Sequence, residues 1–148
     1  MFVIAAAVLA IGALAWHARR RYVGVTVVGH SMMPTLHHGQ KLLARRWRAS
    51  RAPLQRSQII VFIPPVTPGQ PFDSDVVYRI KRVVAIAGDP APSWLPALPG
   101  GAALVRVPPA MVVVLGDNPR SEDSREYGCV AEASVIAMIR ADRRSAPS

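Results

Sequence analysis

Proline and glycine interrupt this chain too often for it to be built from long helices. Fourteen prolines and ten glycines divide 148 residues into short apolar runs. Proline lacks the N–H that a helix interior or central strand uses, and glycine is costly to order, so regular structure tends to stop where they fall. The runs fit strands at residues 22–28, 41–44, 58–63, 76–87, 105–107, 111–115 and 135–139. Between them lie a proline loop with Pro64, Pro65, Pro68 and Pro71, and a surface excursion over residues 89–101. Hydrophobic content is 51% but aromatic content only 6%, so the core should be aliphatic. No internal repeat is visible, and the length predicts one domain of small, mostly antiparallel β structure, a sheet or barrel-like layer.

The exception is the N-terminus. Residues 2–16 are apolar without a break and are closed by His17 and Arg19 to Arg21. As a helix this run would be about 22 Å long, against a hydrocarbon core of about 30 Å. Trp16 and the arginines could extend its reach by interfacial anchoring and snorkelling. Ala13-Leu14-Ala15 would suit a cleavable signal peptide, but no basic residue precedes the run. The expectation is a retained transmembrane anchor over residues 1–21, followed by one domain over 22–148.

The formal charge is +9 and lies unevenly, with eight arginines in the first sixty residues and five acidic residues between Asp117 and Glu132. A basic flank beside an apolar helix suits the headgroups of a lipid bilayer. Nucleic acid is the weaker partner, because the basic run carries no aromatic beyond Trp47. Cys129 is the single cysteine, so there is no intrachain disulfide and no thiolate cluster. The four histidines have no metal-type spacing with carboxylates, and no metal or cofactor is expected.

Two segments carry chemistry. Gly29-His30-Ser31-Met32-Met33-Pro34-Thr35-Leu36 offers a serine hydroxyl on a sharp turn, and Lys81 lies inside an apolar strand-like run closed by Gly88-Asp89. Serine is a weak nucleophile until a base takes its proton, and lysine can be that base only when loss of water destabilises its ammonium. Of 18 basic residues only Lys41 and Lys81 are lysine, and arginine cannot give up its proton at ordinary pH. A surface lysine with a snorkelling stem is the plainer alternative. His30 adjoins Ser31, but neighbours on an extended strand point to opposite faces, so it does not serve as the base.

Ser31-Met32-Met33-Pro34-Thr35-Leu36, Lys81-Arg82-Val83 with Gly88-Asp89, and Gly116-Asp117-Asn118 with Ser121-Glu122-Asp123-Ser124-Arg125 resemble the serial motifs of type I signal peptidases, in order and relative spacing. The resemblance covers about residues 25–139. Ser57-Gln58 replaces a Gly-Asp pair of the family, Gly29 stands where many relatives carry a hydroxyl, and Pro119 interrupts the usual Asp-Asn-Arg.

The resemblance implies a signal-peptidase-type catalytic domain and a membrane-anchored serine endopeptidase acting on the signal peptides of exported preproteins. Ser31 would be the nucleophile, and its own N–H would be an oxyanion donor. Lys81 would be the general base and Ser121 the residue that orients it. Met32, Leu36 and Ile80 would line a shallow pocket selecting Ala-x-Ala. Arg82, Asp117, Asp123 and Arg125 would support the loop, and Gly116 suits positive φ or close approach. The domain would lie outside the cytoplasmic membrane, although arginines after the anchor argue for the opposite orientation. A maturation protease dedicated to one client has the same chemistry. A self-cleaving DNA-binding repressor shares the dyad but would need a helix-turn-helix where the apolar run stands.

Overall fold

Short runs, most of them rich in valine or isoleucine, form one antiparallel seven-stranded sheet in a computed structural model that describes residues 2–48, 52–65, 78–97 and 101–139. The strands are β1 (Tyr22–Thr26), β2 (Lys41–Arg46), β3 (Ile59–Phe62), β4 (Arg79–Ile86), β5 (Met111–Leu115), β6 (Val130–Ala131) and β7 (Val135–Ile139). Their order across the sheet is β1-β2-β7-β3-β4-β5-β6. A helix, α1 (Phe2–Arg21), runs into β1, and a single turn, α2 (Ser124–Tyr127), joins β5 to β6. Among the described residues β1 and β6 do not pair, so the sheet is curled rather than closed into a barrel.

The central strand β3 is buried at all four positions. Because side chains alternate across a strand, Ile60 and Phe62 join Val83, Val112, Val114 and Val130 in one core. Ile59 and Val61 join Val27, Met32, Leu36 and Ala137 in the other. Each fully buried aliphatic side chain contributes about 1.5–3 kcal/mol, which makes β3 the element that holds both layers. Strand β4 alternates as well. Lys81, Val83 and Ala85 are buried while their neighbours are half-exposed, so Lys81 occupies a position the pattern reserves for a core residue.

Three expectations need correction. Residues 105–107 are not a strand but an isolated bridge, Pro90 to Arg106, because Pro90 has no N–H to extend the ladder. The strand expected over 76–87 is described only from Tyr78 onward and pairs from Arg79; its first two residues and most of the proline loop lie outside the described residues. The expected transmembrane helix is the third. A helix does form over Phe2–Arg21, but no helix among the described residues is long and apolar enough to cross a membrane. Its last turn is Arg19, Arg20 and Arg21, so the apolar stretch is shorter than the helix that carries it.

Candidate active site

Strand β1 ends at Thr26 and the chain turns back through Gly29, whose φ of +89° favours glycine. The turn closes with Val27 N–H donating to Gln40 O (2.9 Å) and Gly39 N–H to Val27 O (2.8 Å). Gly29 N–H donates to His38 Nδ1 (3.0 Å) and is thus already committed. Met32 and Leu36, 1% and 5% exposed, sink into the second core and hold Ser31 at the rim.

A second loop reaches over from the end of β5. Asn118 N–H donates to Ser31 O (3.0 Å) and its Nδ2 to His30 O (3.1 Å), tying the two loops together through backbone. Gly116 lies between them. A Cβ there would sit 2.0 Å from Ser121 Oγ and 2.5 Å from Ser31 O, so close approach, not positive φ, is what excludes a side chain.

Asp123 organises the loop from within. It is fully buried, and Oδ2 accepts from Ser121 Oγ (2.6 Å), Gly116 N–H (2.9 Å) and Arg125 Nη2 (2.8 Å), while Oδ1 accepts from Arg125 Nε (2.9 Å). Burial opposes the carboxylate's charge, but hydrogen bonds from Arg125, Ser121 and Gly116 outweigh it and hold the pKa down to about 2. Arg82 grips Asp117 with two bonds, Nε to Oδ1 (2.8 Å) and Nη2 to Oδ2 (2.7 Å), and also donates to Ser57 O (2.9 Å). Burial again opposes the Asp117 charge, and the Arg82 hydrogen bonds more than compensate, so its pKa lies below the usual carboxylate value.

Lys81 is 2% exposed and sits opposite Ile60 in the β3–β4 register. Desolvation is the main influence on its amine and lowers the pKa to about 8; the Asp123 charge pulls the other way, and Arg79 adds to the lowering. Among the described residues no carboxylate lies within ion-pair distance of it. No hydrogen bond joins Lys81 Nζ to Ser31 Oγ or Ser121 Oγ among them either, and the Ser121 proton goes to Asp123.

A groove of about 560 Å³ runs past Ser31 and Met32, floored by β1 and bordered by Tyr78, Arg79 and Ile80. Three strands lie between β1 and β4 in the sheet, so it is the curl that makes them face each other. Met32 and Ile80 therefore line the groove, whereas Leu36 lies in the core and not in the lining. The tie from Asn118 to the Ser31 turn lies outside the residues expected from the sequence, and only its place in the Gly-Asp-Asn motif could have marked it. Tyr127 packs against the core: its ring lies on Phe62, 6.5 Å between centroids, and its buried hydroxyl has no partner among the described residues.

The chain is similar to known proteins. The profile of the family described as "Signal peptidase, peptidase S26" matches residues 1–91, which contain both Ser31 and Lys81. A "Probable signal peptidase I-1" from Synechocystis sp. is 31% identical over 72% of this chain, and the match spans 63% of that relative's length. A crystal structure of a signal peptidase I from Enterococcus faecalis aligns with a TM-score of 0.38 at 26% identity, covering 55% of this chain and 92% of that one. With a profile match over more than half its length, the chain belongs to the signal peptidase family S26.

Proposed function

We propose that this protein is a serine endopeptidase that removes signal peptides from exported preproteins, with Ser31 as nucleophile and Lys81 as general base. The observation that carries the reading is Lys81 itself. It is a water-excluded lysine on β4 with a pKa near 8, in the field of the Asp123 cluster, whose Ser121 packs through Gly116 against the Ser31 backbone. Neutral Lys81 would take the Ser31 proton as Oγ attacks the scissile carbonyl, giving an ester. It would return that proton to the departing amine, then activate water to hydrolyse the ester.

The Ser121–Asp123 bond gives Ser121 a definite task. With its own proton committed to Asp123, the Ser121 oxygen can only accept. It would hold one N–H of Lys81 and leave the amine's lone pair to face Ser31. The Ser31 N–H would donate to the oxyanion; Gly29 N–H, bonded to His38, would not.

The substrate would lie extended in the groove beside β1, which among the described residues is an edge strand with one unpaired side. Met32 and Ile80 would leave space only for small side chains, which yields cleavage after Ala-x-Ala. Residues 22–148 would form the peptidase domain and α1 its membrane attachment. That domain would lie on the extracytoplasmic side, where exported precursors present their cleavage sites. Incubation of a preprotein with the purified full chain tests this. The expected result is cleavage after the second alanine by the wild type and none by Ser31→Ala; equal cleavage by both would overturn it.

A further inference from the structure

We propose that the arginine-lined groove at the foot of α1 binds the phosphodiester headgroup of an anionic phospholipid. This deepens the membrane attachment in the reading above by giving it a defined site.

The last turn of α1, strand β2 and the end of β7 enclose two adjoining cavities, of about 690 and 250 Å³, the larger closed on its far side by Arg56 to Ile59, where Arg56 is paired with Asp89. Arg21, Arg45 and Met138 line both, so the two share one wall. The β2 register accounts for this, setting Arg45 opposite Tyr22 on one side and Met138 on the other. Arg20, Arg46 and Arg48 complete the basic wall of the smaller cavity, and no acidic residue lines either one. Ion pairs among the described residues use Arg56, Arg79, Arg82 and Arg125, which leaves these five arginines without a carboxylate. A cleft lined by one sign of charge focuses its field and draws in a counter-ion, and guanidinium groups match phosphate oxygens in geometry.

A free phosphate ion would satisfy the arginines alone. A lipid satisfies the neighbouring surface as well. Ile4, Val8, Leu9, Ile11 and Leu14 of α1 are 63–74% exposed, and nothing described in the fold covers them. Acyl chains of a lipid held at the groove would run along that helix. Tryptophan favours the headgroup level, and Trp16, with Arg20 Cζ 3.7 Å from its ring centroid, stands where chain and headgroup meet. Trp47 lines the same cavity.

The position of the site has a consequence for the peptidase groove. β1 starts directly after Arg21 and lines the Ser31 groove from Val23 onward, and Arg46 borders both that groove and the basic cavity. At about 3.3 Å per residue, β1 spans only about 17 Å. A headgroup held at the foot of α1 would fix the substrate groove at that height above the lipid surface.

The test is vesicle binding by the purified full chain. Vesicles of phosphatidylcholine alone are compared with phosphatidylcholine containing phosphatidylglycerol. The expected result is tighter binding to the anionic vesicles. The double variant Arg21→Gln/Arg45→Gln should lose roughly 25-fold of that preference, at roughly fivefold per charge. Arg106→Gln removes an exposed arginine that donates to Gly88 O and lines neither cavity, and should keep the preference. Equal binding to both vesicles would overturn the site. So would an equal loss in Arg106→Gln, which would mean net charge alone, or displacement by millimolar inorganic phosphate, which would mean a free-ion site. Cleavage of a soluble peptide is measured separately on the wild type. Lipid preference without cleavage would overturn only the peptidase reading, and cleavage without lipid preference only the headgroup site.

Discussion

The Ser121 hydroxyl donates to Asp123 Oδ2 across 2.6 Å, with both residues almost or fully excluded from water. A serine in open solvent rotates between donating and accepting. This one is held as an acceptor, the state in which it would take a Lys81 N–H under the proposed mechanism. Ser121→Ala should therefore lower kcat by 10-fold or more while leaving KM near its wild-type value, with a stability loss of only about 1 kcal/mol. Steady-state kinetics on a preprotein decides it. An unchanged kcat would remove Ser121 from the mechanism.

Gly116 marks the tightest contact in the site. A methyl group there would meet Ser121 Oγ at 2.0 Å and the Ser31 carbonyl at 2.5 Å, and the second is backbone that cannot swing away. Gly116→Ala should destabilise the fold by about 3 kcal/mol, the upper end of overpacking costs, and should abolish cleavage by displacing the Ser31 turn. Denaturant unfolding and a cleavage assay check the two halves. Wild-type stability would contradict the contact.

Much of this was legible before the structure. The strands could be read because proline and glycine bound each apolar run, and Lys81 stood out as a candidate because only two lysines stand in an arginine-rich chain. Other features were not. α2 is four residues and β6 two, too short for either to show a period. Leu36 reads as a pocket residue by motif, yet it packs in the core under the serine turn, a distinction only tertiary contacts make. The link from Asn118 to Ser31 depends on how two distant loops meet. No spacing encodes that.

Burying Lys81 costs stability. Its folded pKa of about 8 is below the unfolded value of about 10.4. Between those values the unfolded chain binds the extra proton, so stability rises with pH there, and the penalty is fully present below about 8. The difference corresponds to about 3 kcal/mol. Lys81→Met should be more stable than wild type by about that amount at pH 7, with the gap closing near pH 11. Urea unfolding at the two pH values tests it, and a constant gap would contradict a lowered amine pKa.

Tyr127 offers a test of packing independent of activity. Its buried hydroxyl has no partner among the described residues, and burial raises its pKa above the ordinary value. An unsatisfied buried hydroxyl costs about 1–3 kcal/mol. Tyr127→Phe keeps the ring against Phe62 and should raise Tm by about 3 °C. A lower Tm would mean that the hydroxyl has a partner.

The dyad stands or falls on the pH dependence of cleavage in wild-type and Lys81→Arg proteins. If neutral Lys81 is the base, wild-type kcat/KM should rise through a single ionisation near 8 to an alkaline plateau. Arginine fills the same site but does not release its proton in this range, so Lys81→Arg should show no cleavage at any pH on the curve. Wild-type rates from Lys81→Arg, with the same pH profile, would contradict the account.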